Sequence, residues 1–198
     1  MAIPARLRNS LALTSIVGLL LAAGCASAPP PPQWQGDAAQ AMASFQRAYL
    51  TGDSARAEAE FKAARSQLAS TGRADLVARA ELVRCATRSA SLEFDDCPGF
   101  TAVQDATPEN VRYAEYLLGK SSFRGTDEPL SRLVAESVRF RSGGIDPAGI
   151  ARAVEIASAQ GWRRPLLAWL GVQLKRAEAA GDSETAERIR RRMALVSG

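Results

Sequence analysis

The chain contains no histidine. That removes the commonest general base, the usual partner of a serine or cysteine nucleophile, and the commonest metal ligand. Catalysis by carboxylates alone stays open. The acidic pairs Glu58/Glu60, Asp95/Asp96 and Asp127/Glu128 have the character of solvated surface, and none stands out as an acid–base couple. A glycine-rich phosphate loop is missing too. Gly143-Gly144 before Ile145-Asp146-Pro147 reads as one helix stopping and the next starting. No apolar run reaches the ~20 residues of a membrane span. Strand-like alternation is absent after Cys25. No cofactor, no metal and no reaction are legible, and the expectation is a protein that is not an enzyme.

What is present begins with an export signal. Met1 to Asn9 carries Arg6 and Arg8 and no acid, and Leu11 to Ala23 is nearly all apolar. A basic start, a short apolar run and a small-residue site form a secretory signal. It ends in Leu19-Leu20-Leu21-Ala22-Ala23-Gly24-Cys25, which resembles the bacterial lipobox. Ala22 stands where leucine is commoner in that family. The resemblance implies a diacylglyceryl group on the Cys25 sulfur, cleavage before it, and acylation of the new amine. Two or more acyl chains hold a protein stably, because each buried CH₂ contributes about 0.8 kcal/mol. Ala26-Ser27 after the cysteine resembles the outer-membrane sorting pattern rather than the inner-membrane one. The expected address is therefore the periplasmic face of the outer membrane, through a lipid anchor. The alternative is a plain secreted protein with an unmodified cysteine.

Removing residues 1–24 leaves enough chain for one domain or two small ones. The formal net charge of +4 belongs to the uncut chain. Arg6 and Arg8 leave with the signal, so 25 basic residues become 23 against 21 acids. The remainder is close to neutral with both signs interspersed, which is no nucleic-acid signature.

There are three cysteines. With Cys25 carrying lipid, Cys85 and Cys97 remain as a pair in an oxidising compartment, where disulfides persist. A bridge between them closes a short loop and contributes roughly 2–4 kcal/mol on the chain-entropy account. Two buried thiols is the alternative. Their spacing fits no familiar zinc or redox pattern.

Ala28-Pro29-Pro30-Pro31-Pro32 reads as a stiff polyproline spacer. Residues 25–36 thus form a lipidated, proline-rich tether, and 37–198 a helical domain. Asp37-Ala38-Ala39-Gln40 has the pattern of a capping box. Ala38, Met42, Phe45 and Tyr49 then share one helical face, and beyond Gly52 so do Ala57, Phe61, Ala64 and Leu68. Two helices joined this tightly are antiparallel neighbours. From Arg73 to Leu92 there is neither glycine nor proline. Leu76, Ala80 and Val83 face one way and Ala78, Cys85 and Leu92 the other, so this helix is expected to be sandwiched. Phe94 to Thr107 is non-periodic, with Phe100 and Val103 expected to tuck inward. Thr107-Pro108-Glu109 restarts a helix whose inner face is Val111, Ala114 and Leu118. Tyr113 and Tyr116 either pack or line a groove. Further helices follow at Leu130–Val138, from Asp146, near Pro165, and from Asp182. The last is expected to carry Arg188, Arg190, Arg191 and Arg192 on its outer face, with pairs Glu184–Arg188 and Glu187–Arg191.

Gly52-Asp53 with Ala57, Phe61 and Ala64 resembles the second half of a tetratricopeptide repeat. Gly181-Asp182-Ser183 with Ala186-Glu187 echoes it, although Arg190 stands at the aromatic position. The resemblance implies an all-α fold of antiparallel helical hairpins, stacked as a tetratricopeptide-like solenoid or a helical bundle. It also implies a groove for a segment of another envelope protein. The lipoproteins this chain resembles include pilotins that escort secretins, and adaptors of outer-membrane assembly. A carboxylate-dependent cell-wall enzyme and a purely structural envelope lipoprotein are the competing readings. The oligomeric state is not specified.

Overall fold

The computed structural model describes residues 32–198; Cys25, the signal and residues 25–31 of the tether lie outside the described residues. Those described are all-helical: α1 (Gln33–Thr51), α2 (Ser54–Ala69), α3 (Ala74–Ala90), the single turn α4 (Pro98–Thr101), α5 (Pro108–Leu117), α6 (Pro129–Arg141), α7 (Pro147–Ala159), α8 (Arg163–Ala179) and α9 (Ser183–Ser197).

Several helices stop the same way, through glycine in the left-handed region. Gly52, Gly161 and Gly181 have φ of 99°, 66° and 69°. The residue after each donates its N–H five positions back: Asp53 to Ala48 O at 2.8 Å, Trp162 to Ala157 O at 2.9 Å, Asp182 to Ala177 O at 2.9 Å. This is the Schellman ending, which satisfies carbonyls the helix leaves unpaired. That same residue is also the N-cap of the next helix. No residue is spare between the two helices, so α1/α2, α7/α8 and α8/α9 fold back as tight hairpins. Asp53 and Asp182 complete the joint by accepting the N–H of Arg56 and of Thr185, each at 3.0 Å. The Gly-Asp echo is thus one local structure used twice, and Gly161-Trp162 repeats it without the aspartate.

The expected core faces hold for most helices. Ala38, Phe45 and Tyr49 of α1 and Ala57, Phe61 and Ala64 of α2 are buried. Phe45 and Phe61 meet with ring centroids 5.2 Å apart. The sandwiched helix is α3, which packs against α1, α2, α4, α5 and α6. Glu81, Thr87 and Ser89 are buried along with its alanines. Small side chains at Ala78, Ala80, Ala86 and Ala90 let five neighbours approach it.

Four expectations are corrected. First, α1 starts at Gln33, directly after Pro32, so Asp37 is inside the helix and the helical domain begins four residues earlier. Trp34 lies in its first turn, half-buried. Second, α5 turns differently: Ala114, Tyr116 and Leu117 are buried, while Val111 is 42% exposed. Two tyrosines outweigh one valine in apolar area, so the helix rotates to cover them. Third, Glu187 pairs with Arg190, not Arg191, because Arg190 also reaches Glu178 on α8. Fourth, the arginines of α9 do not share one outer face, as shown below.

The row of helices closes on itself. α8 returns to α1, and Arg164 makes the junction. Its Nε donates to Tyr49 O at 2.8 Å, its Nη2 to Ser54 Oγ at 2.6 Å, and its Nη1 to Glu93 at 3.3 Å. The guanidinium lies 4.3 Å from the Tyr49 ring centroid. One side chain thereby ties the end of α1, the start of α2 and the segment after α3.

Candidate functional site: a basic groove across the last three helices

α7, α8 and α9 leave a trough along their shared side. Two depressions, of ≈ 550 and ≈ 440 Å³, adjoin there, with Gln173 and Arg192 lining both. Ile150, Val154, Leu170, Ala177 and Ile189 give it an apolar floor. They belong to the buried core at this end of the molecule.

The rim is cationic. Arg176 comes from the last turn of α8, and Arg188 and Arg192 from α9. Positions 185, 188, 189 and 192 share one helical face, because side chains three and four apart are neighbours. That separates the four arginines that stand together in the sequence. Arg188 and Arg192 turn to the groove, Arg190 is spent on Glu178 and Glu187, and Arg191 is exposed. Arg192 reaches across the trough and donates to Ser158 Oγ of α7 at 3.1 Å. Arg188 pairs with Glu184 at 3.4 Å. Asp182 is one of two acids in the lining, and its carboxylate is occupied as the cap of α9. The Thr185 N–H it accepts holds its pKa below the usual carboxylate value. Glu155 is the other acid.

Cys85 of α3 and Cys97, at the start of α4, come together with sulfurs at bonding distance and Cα atoms 5.5 Å apart. That Cα separation is the usual one for a bridge. Asp95 braces the turn between them. Its Oδ1 accepts the Cys97 N–H at 2.9 Å, and its Oδ2 lies 3.4 Å from Arg88 Nε. Cys85, Asp95 and Cys97 form a close cluster of potential metal ligands, whose two sulfurs stand at bonding distance from each other. Phe100 and Val103 are half-buried nearby, with Phe100 against the core.

Two carboxylates had no sequence signal. Glu81 and Glu136 are each 6% exposed. Both sit among apolar neighbours on their helices, where an acid normally marks the solvent side. Each is held by an arginine of a neighbouring helix: Glu81 by Arg65 at 2.6 Å, Glu136 by Arg152 at 3.0 Å. A buried carboxylate requires such a partner. The acidic pairs noted in the sequence line neither the groove nor the aromatic pocket described below. Glu58, Glu60, Asp95 and Asp96 are ion-paired, and Glu128 caps α6.

Fold and groove together define a class: an all-helical protein of tightly turned hairpins with a cationic, apolar-floored trough. Matching against family models, curated proteins and solved structures finds no relative.

Proposed function

We propose that this protein is a lipoprotein of the outer membrane, anchored through Cys25 on its periplasmic face. Its task is that of a scaffold or adaptor of the pilotin or envelope-assembly kind. Tetratricopeptide-like hairpins hold an acidic, amphipathic helical segment of another envelope protein in the α7–α8–α9 groove.

The observation that carries this reading is the combination of apolar floor and arginine rim. An amphipathic helix buries its apolar face in such a trough. Arginine is the cation best suited to a carboxylate at a contact surface, since its planar fork donates two parallel bonds. Three guanidiniums at the rim select an acidic segment over a basic one. The sequence around Cys25 supports the address, and the tether supports a spacing from the lipid surface.

The test is crosslinking in intact cells followed by capture from the membrane fraction. One stoichiometric protein partner is expected, with an acidic helix at the crosslinked site. The triple variant Arg176→Glu, Arg188→Glu, Arg192→Glu should reduce capture by at least about tenfold, equivalent to roughly 1.4 kcal/mol. All three side chains are exposed, so helicity by circular dichroism should not change. Undiminished capture by this variant rejects the groove. The address has its own test: Cys25→Ser should stop processing or release the protein from membranes. A processed, membrane-bound Cys25→Ser protein refutes lipidation.

A further inference from the structure

A second cavity lies away from the groove, among α3, α5, the segment 119–128 and α6, and encloses ≈ 260 Å³. Three aromatic rings line it, and Phe123 is 39% exposed at its edge. Tyr113 and Tyr116 of α5 lie 5.8 Å apart, and Phe123 sits 4.9 Å from the first and 5.6 Å from the second. Leu82, Val83 and Val134 complete the apolar lining. The tyrosines therefore both pack and line a pocket. Thr126 Oγ1, hydrogen-bonded to Ser131 Oγ at 3.0 Å, pins the segment that carries Phe123 to the start of α6. Burial pushes the Tyr113 hydroxyl up to about 12, so it stays a neutral donor at every physiological pH.

The opening carries one charge of each sign. Arg79 of α3 and Glu109 in the first turn of α5 both border the cavity. Both are exposed, and neither makes an ion pair among the described residues. An aromatic-lined cavity of this size suits one ring, stacked offset or edge-on against the three present. Unmatched opposite charges at its mouth suit a ligand that carries both signs on adjacent atoms.

We propose that the pocket of Tyr113, Tyr116 and Phe123 binds a free aromatic α-amino acid as its zwitterion, the ring inside, the carboxylate toward Arg79 and the ammonium toward Glu109. The two charges lie on a solvated rim and contribute modestly. Affinity is accordingly set in the range of about 0.1–10 mM, with charge contributing selectivity rather than strength. This site is independent of the groove and of the anchor.

The experiment titrates the full chain in detergent micelles with L-phenylalanine, N-acetyl-phenylalanine and phenylalaninamide, read by saturation-transfer NMR and calorimetry. Phenylalanine should bind saturably, and each blocked analogue should bind about fivefold more weakly. Arg79→Gln should abolish the discrimination against phenylalaninamide and leave that against the N-acetyl compound. Glu109→Gln should do the reverse. Phe123→Ala should weaken all three ligands about tenfold. Both charged positions are exposed, so these variants keep the fold. No saturable phenylalanine signal up to about 20 mM, equal binding of all three ligands, or discrimination that survives both charge substitutions overturns the proposal.

Discussion

Trp169→Ala should lower the unfolding free energy by about 3–5 kcal/mol, the range for deleting a fully buried large aromatic. Trp169 of α8 has no exposed surface. Its ring meets Phe140 of α6 edge-on with centroids 5.6 Å apart. Its Nε1–H donates to Ala90 O at 3.1 Å, closing a carbonyl at the end of α3. One side chain thus joins the central helix, α6 and the helix that returns to α1. Truncation leaves a cavity bounded by three helices that cannot collapse independently, and strands a buried carbonyl besides. Urea denaturation followed by circular dichroism measures the loss, and the melting temperature should fall by on the order of 10 °C. Trp169→Phe separates the contributions. It keeps most of the packing and loses the hydrogen bond, so it should cost about 1–3 kcal/mol. A Trp169→Ala variant within about 0.5 kcal/mol of the parent, the usual size of a surface effect, would show that α8 does not hold the bundle together.

The second large effect is expected at the cysteine pair. Cys85→Ala with Cys97→Ala, or reduction by a dithiol, should cost about 2–4 kcal/mol. Two things compete here. Cys97 holds φ of 49°. Left-handed backbone costs a non-glycine residue about 1–2 kcal/mol. The bridge outweighs that cost by restricting the unfolded chain, and the brace of Asp95 and Arg141 keeps the turn seated. Arg141 Nη1 donates to Asp95 O at 3.0 Å. Replacing Cys97 by glycine in the bridge-less protein should return about 1 kcal/mol, since glycine adopts that φ without strain. Non-reducing mass mapping should find the peptides of Cys85 and Cys97 joined. Two freely alkylatable thiols in periplasm-derived protein would reject the bridge, and the stability difference should then vanish.

Much of this architecture is legible along the chain, because what sets it acts over a few positions. Phe45 to Tyr49 and Ala57 to Ala64 advertise their faces by period alone. Gly52-Asp53 and Gly181-Asp182 write a helix end and a helix start within two residues. Thr107-Pro108 and Asp146-Pro147 do the same for α5 and α7, where Thr107 and Asp146 cap as their residue types require. The partner of Glu187 is not legible in this way, because it depends on a neighbour that the local pattern does not contain: Arg190 also reaches Glu178 of α8.

The sequence by itself determined the helices, their turns, the pairing of Cys85 with Cys97 as an expectation, and the signals that point to an anchored exported protein. Only tertiary structure decided which arginines face the groove, which carboxylates are buried, and how the row closes. Arg164 bonds partners 71 to 115 positions away, and Arg192 one 34 away. Helical period and capping are short-range and repeat with the backbone. A groove or a closing contact exists only once distant helices are packed, and the free energy that selects it is shared among residues no local pattern connects.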